Sequence, residues 1–144
     1  MWLRVLESVH GHAGILACAA LIHPAILLRR GRPLSRGMKI SVIATGVVTT
    51  LAFGLGLALY EDYRATIRRR LFERAPDVGF LFETKEHLAW AVLCLTLGAT
   101  VAALVAPREA KRVRQSAAVA YAAAAVLACI VASLGTWVAA VEGF

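Results

Sequence analysis

Long apolar runs separated by short charged segments set the pattern of this chain. Four runs, at about residues 2–28, 38–60, 87–106 and 116–141, each approach the ~20 mostly apolar residues that cross ~30 Å of hydrocarbon as a helix. Helix is the economical choice for each, because an open strand edge in lipid leaves backbone amides and carbonyls without partners. The segments joining the first run to the second and the third to the fourth are short, so those pairs are expected to be antiparallel neighbours. The pattern predicts an all-α, four-helix transmembrane bundle, read as one integral membrane domain over residues 1–144.

The segment between the second and third runs is longer and mixes charge with apolar residues. In "EDYRATIRRRLFERAPDVGFLFETKEH", Ile67, Leu71 and Phe72 make one stripe of Ala65–Arg74 and arginines make the other face. That spacing predicts a short amphipathic helix lying in the membrane interface and stopped by Pro76. Phe80, Leu81 and Phe82 then read as a dip toward the bilayer or a lid over the bundle. Small residues mark the expected close approaches: Gly46, Thr50 and Gly54 on the second helix, Gly98 and Ala102 on the third.

Composition strengthens the membrane reading, with 60% hydrophobic residues and a mean hydropathy of +0.70. The net charge of +7 would suggest nucleic acid in a soluble chain. Here the basic residues flank the spans, where they report orientation and contact with anionic lipid, so the bilayer is the expected partner and nucleic acid is not. Arg29, Arg30, Arg32, Arg36 and Lys39 follow the first run with no acid among them; Arg108, Lys111, Arg112 and Arg114 follow the third with Glu109 alone. The positive-inside rule places both segments in the cytoplasm, and the two termini and the middle segment outside. Trp2, Trp90, Trp137, Tyr60 and Tyr63 fall near the outer ends of their runs, where amphipathic rings favour the headgroup level. The expected setting is a bacterial inner membrane, multi-pass, with periplasmic N and C termini. The first run lacks a small-x-small cleavage pattern and reads as a permanent helix, not a signal peptide.

Candidate chemistry concentrates in "ESVHGHAGILACAALIHP", Glu7 to Pro24, which holds three of the four histidines. Ionisable residues within a membrane are costly and each is a functional hypothesis. His12 and His23 are eleven positions apart and fall within ~20° on one helical face, separated by ~16 Å along the axis. His10 points the opposite way, on the face of Glu7 and Gly14. In the predicted topology His87 opens the third helix at a depth similar to His10 and His12. Paired imidazoles from facing helices are how a bundle holds a b-type haem. His12 and His87 are therefore the expected axial ligands, with His10 as the substitute if the first helix is rotated. His23 has no histidine at its own depth and suits a quinone, a second site or a pairing across a homodimer. Gly11 and Gly14 leave room for a bulky group beside the backbone. Pro24 has no amide to donate to the carbonyl of Ala20, which leaves an acceptor free near His23.

A second reading uses the carboxylates. Glu7 and His10 stand at i, i+3, and Glu61, Glu86 and His87 gather with them at the same ends of their helices. Two histidines with several carboxylates suit an iron or zinc ion better than copper(I). In a third reading the histidines are structural, donating interhelical hydrogen bonds. Cys18, Cys94 and Cys129 each lie within a run, show no CxxC spacing, and read as small hydrophobes.

The "HGH…IHP" first helix and the "KEHLAW" third helix resemble small bacterial four-helix membrane cytochromes of b type and related membrane families. The resemblance covers the span count, the early His-Pro pair and the histidine opening a later helix. It does not extend to the four ligating histidines of the di-haem members. It implies a haem b-binding redox or electron-transfer protein, linked to quinone and to a redox partner in the membrane. The alternatives are a non-catalytic subunit that scaffolds a membrane complex, and an outer-face carboxylate/histidine metal-binding protein. No nucleotide-binding loop or nucleophile triad is present, which argues against hydrolase and ATP-driven functions.

Overall fold

A computed structural model of the chain describes residues 2–142. Its helices are α1 (Trp2–Leu28), α2 (Arg36–Asp62), α3 (Arg69–Arg74), α4 (Pro76–Val105) and α5 (Lys111–Glu142), with a π-helical stretch, Tyr63–Arg68, joining α2 to α3. Four helical runs are long and apolar enough to cross a membrane, and one of them extends unbroken over Arg36–Arg74.

A separate interfacial helix is not shown among the described residues. Ala65–Arg74 is helical, but as the continuation of the second membrane helix. Its apolar stripe has found protein instead of lipid: Ile67 and Leu71 bury themselves against Phe82 of α4 and Val138 of α5, with Tyr63 and Val78 alongside. Phe80, Leu81 and Phe82 belong to α4. Pro76 starts α4 where no amide donor is needed, and Asp77 in its first turn complements the helix dipole. The turn between α3 and α4 is closed by Ala75 N–H donating to Leu71 O at 2.7 Å. The T-shaped pair Phe72–Phe80, with ring centroids 5.2 Å apart, packs beside it. At ~1.5 Å per residue, a helical run of 39 residues is roughly twice as long as a ~30 Å hydrocarbon layer is thick. The α2 tail and the α4 start thus form a helical hairpin that extends past the apolar layer.

α1 packs against α2 and α5, and α4 packs against the same two helices. The result is a square in which α1 and α4 face each other across a diagonal. Small side chains let the helices close: Ala99, Ala103, Ala117, Ala118, Ala124, Ala125 and Ala128 are buried with Leu21, Leu28, Val42, Val92 and Tyr121. Of the expected small-residue contacts, Gly46 is confirmed, since a Cβ there would lie 3.2 Å from Thr100 Oγ1. Gly54 and Gly98 face open space. Ile15, Val47, Val101, Val119 and Val126 are exposed around the outside, as lipid-facing positions require.

At the opposite end from the hairpin, one arginine ties the connecting segments together. Arg114 is 1% exposed; its Nε donates to Gly31 O at 3.0 Å, and its two terminal nitrogens to Pro107 O at 2.6 Å and Arg108 O at 2.7 Å. Gly31 ends the α1 turn with a φ of 62°, and a Cβ there would lie 2.8 Å from Lys111 O. Arg114 is thus a structural clamp, while Arg29, Arg30, Arg32, Arg36 and Lys39 stay exposed around it.

Candidate functional site

The four histidines occupy different environments, and the helical geometry sorts them as their spacing implies. His10 is the one turned inward. Its Nδ1 meets Ala52 O of α2 at 3.1 Å, and its ring lies against Gly56, where a Cβ would come within 2.9 Å of Cε1. His12 and His23 share the exposed side of α1. His12 Nδ1 bonds Ser8 O of its own helix at 2.7 Å, and His23 Nδ1 bonds Ser41 Oγ of α2 at 2.7 Å. His87 is exposed too, with Nδ1 bonded to Glu83 O one turn back at 2.8 Å.

The structure does not bring His12 and His87 together. They sit on helices diagonal to each other, and both rings lie on the exposed surface of the bundle. His10, the substitute ligand, is engaged by the backbone of α2. Gly11 and Gly14 face open space, so the backbone of α1 beside His12 is uncovered.

The carboxylate set is dispersed as well. Glu7 stands within electrostatic reach of the Tyr63 hydroxyl. Glu86 stands beside Lys85 and within electrostatic reach of Arg64 and His87. Glu61 is exposed in an open groove that Arg64, Arg68 and Arg69 also line. Glu83 is held by Arg68, whose Nε lies 2.9 Å from its carboxylate. Among the described residues no group of three or more His, Cys, Asp or Glu side chains is placed to hold a metal ion.

Three contributors were not visible as such in the sequence. Lys85 turns into the bundle with its amine 4.5 Å from the centre of the Phe82 ring and within electrostatic reach of His10. Tyr63, expected as an interfacial anchor, stands near Glu7 and lies parallel to Phe82 with ring centroids 6.4 Å apart. Thr45 supplies the donor that Pro24 withholds, its hydroxyl reaching Ala20 O at 3.0 Å. A hydroxyl facing a proline-freed carbonyl on a neighbouring helix was the only available signal, and it requires knowing the register of α1 against α2.

Deeper in the bundle Thr49 Oγ1 is buried without a hydrogen-bond partner among the described residues, while the other buried hydroxyls find one. Thr100 Oγ1 and Tyr121 OH are 2.7 Å apart between α4 and α5, and Thr96 bonds Val92 O on its own helix at 2.7 Å. Phe53 and Trp90 meet edge to face between α2 and α4, with centroids 4.6 Å apart. No family model, curated protein or solved structure matches the chain.

Proposed function

We propose that the protein is a non-catalytic integral-membrane subunit that scaffolds a larger membrane complex. The observation that carries this reading is the division of its polar groups. Most of those turned inward are matched within the chain, His10 with Ala52 O, Glu7 with Tyr63, Thr45 with Ala20 O, and Arg114 with three carbonyls, while Thr49 Oγ1 is buried without a hydrogen-bond partner among the described residues. His12, His23 and His87 each use Nδ1 within the chain and stand on exposed faces among apolar side chains, where a neighbouring protein would meet the other ring nitrogen.

A second reading, a haem b-binding redox protein linked to quinone, is favoured by one detail. The Nδ1 atoms of His12 and His87 are tied to carbonyls one turn back, so Nε2 is the nitrogen left for a ligand, the arrangement that orients metal-binding imidazoles. In that reading each axial pair is completed by a second copy or by a partner, and haem supplies one-electron chemistry.

Extraction from native membranes into lipid nanodiscs, followed by native mass spectrometry and a visible spectrum, separates the two. A scaffold subunit is expected as a stoichiometric complex without absorption of its own. A Soret band with a reducible α band, lost in His12→Ala or His87→Ala, would overturn the scaffold reading in favour of haem. A colourless chain found alone would overturn both.

A further inference from the structure

Charge is divided unequally between the two ends of the bundle. Residues 61–86, which form the hairpin, carry six basic and six acidic side chains. At the opposite end, residues 29–39 and 108–112 carry eight basic side chains against Glu109 alone. All eight are exposed, and no ion pair is seen for any of them among the described residues. Arg114 gathers them into one surface. By donating to Gly31 O and to the carbonyls of Pro107 and Arg108, it holds the segment bearing Arg29, Arg30 and Arg32 against the segment bearing Arg108, Lys111 and Arg112. An open groove of about 390 Å³ lies on α5 here, lined by Arg112, Gln115, Ser116 and Val119. Gln115 Nε2 donates to Arg29 O at 3.4 Å, which brings the end of α1 to the same place. Further along α5 the surface turns apolar and stays uncovered, with Val119 69% and Val126 61% exposed.

We propose that this groove seats the phosphate of an anionic phospholipid whose acyl chain lies along α5 past Val119 and Val126. Arg112 offers a planar fork of donors that matches phosphate oxygens, and Ser116 adds a hydroxyl beside it. The eight cations have no counter-charge of their own beyond Glu109, so a phosphate relieves their mutual repulsion. Val119 decides between a lipid and a soluble anion. It makes one wall of the groove apolar, and that wall runs on into the surface that faces hydrocarbon. Basic pockets at the membrane face are where lipid headgroups are held. The Arg114 clamp fixes both connecting segments beforehand, so little ordering is lost when the lipid binds. The site stands apart from the scaffold reading, since a resident lipid serves a lone chain as well as a subunit.

Native mass spectrometry of the full chain in detergent tests this, with phosphatidylglycerol and phosphatidylcholine of identical acyl chains as the probes. The wild-type chain is expected to retain phosphatidylglycerol in preference. Arg112→Gln is expected to weaken that binding about fivefold, the worth of one cation near an anionic headgroup. Arg74→Gln, in the hairpin, is expected to leave it unchanged. Ser116→Leu removes no charge and changes an exposed position, yet it is expected to weaken binding too, because leucine fills the groove. Equal retention of the two lipids by the wild-type chain would overturn the proposal. Full affinity in Ser116→Leu beside a loss in Arg112→Gln would do the same, showing diffuse attraction in place of a seated phosphate. Millimolar inorganic phosphate is expected to leave the lipid bound. Displacement by it would assign the groove to a soluble anion, and displacement by a glutamate-rich peptide would assign it to an acidic protein segment.

Discussion

The Thr45 hydroxyl of α2 donates to the Ala20 carbonyl of α1 at 3.0 Å. That carbonyl is the one Pro24 leaves without its helical donor, and Pro24 itself is buried inside α1. Next to it, His23 Nδ1 bonds Ser41 Oγ, one turn before Thr45 on the same helix. In lipid a proline within a helix is tolerated where a neighbouring hydroxyl re-satisfies the freed carbonyl. The two contacts together pin the register of α1 on α2.

Thr45→Val is expected to destabilise the bundle by about 0.6–1.7 kcal/mol, the scale of an interhelical hydrogen bond in a membrane. In a Pro24→Ala background the Ala20 carbonyl regains its helical donor, so the same substitution is expected to cost less. A double-mutant cycle read by unfolding in mixed micelles measures the difference. Equal costs in the two backgrounds would show that Thr45 acts by packing alone.

Arg114 is the second place where removing one side chain opens several bonds. Charge-assisted hydrogen bonds run about 1.5–3 kcal/mol each, so Arg114→Ala, which frees three carbonyls, is expected to cost at least about 3 kcal/mol. Arg114→Lys keeps the charge but lacks the planar fork, and an intermediate loss is expected. Gly31→Ala meets both an unfavourable φ and the Lys111 backbone, and its thermal midpoint in detergent is expected to fall as well. A midpoint unchanged in Arg114→Ala would remove the clamp from this account.

His10 and Gly56 form a tight pair of a different kind. A methyl group at position 56 would stand 2.9 Å from His10 Cε1, so Gly56→Ala is expected to push the ring off the Ala52 carbonyl. The accompanying destabilisation is expected to shrink in the His10→Ala background, where nothing remains to clash. Nitrogen-15 chemical shifts of the His10 ring give a direct check, because loss of the 3.1 Å contact moves the Nδ1 resonance. An unmoved resonance in Gly56→Ala would mean that the helices separate instead.

The spans were legible because lipid demands length and apolarity, and both are written in consecutive residues. The faces of those helices were not. Lipid and core are both apolar here, so the periodic contrast that orients a helix in a soluble protein is nearly absent. This is why the spacing put His12 and His23 together, and His10 opposite, while the inward side of α1 stayed open. The hairpin was obscured for another reason: a helix dense in arginine and glutamate reads as a surface segment. The stripe Ile67–Leu71 was visible, but its partners Phe82 and Val138 lie far along the chain. Lys85 was hidden among acids that made it look like an ordinary interfacial charge. The carboxylates followed from the same ambiguity, since Glu7 was matched to His10 by spacing and stands near Tyr63 in the fold.

The hairpin offers a contrast between an exposed ion pair and a buried ring. Arg68 and Glu83 join α4 to the π-helical stretch, with side chains 39% and 34% exposed, and such a pair is worth about 0–1 kcal/mol. Phe82 is 1% exposed, among Ile67, Leu71 and Val138, and truncating a buried phenylalanine costs about 3–5 kcal/mol in a water-surrounded core. Glu83→Gln is therefore expected to leave amide exchange in the hairpin nearly unchanged. Phe82→Ala is expected to speed exchange across Tyr63–Glu86 while the amides around Thr96 and Tyr121 stay protected. Hydrogen-exchange mass spectrometry in nanodiscs resolves both segments in one experiment. The comparison also separates a protein-packed hairpin from a helix lying flat in the interface, since an interfacial helix is held by lipid and does not depend on Phe82. Unchanged exchange in Phe82→Ala would return Ala65–Arg74 to the membrane surface.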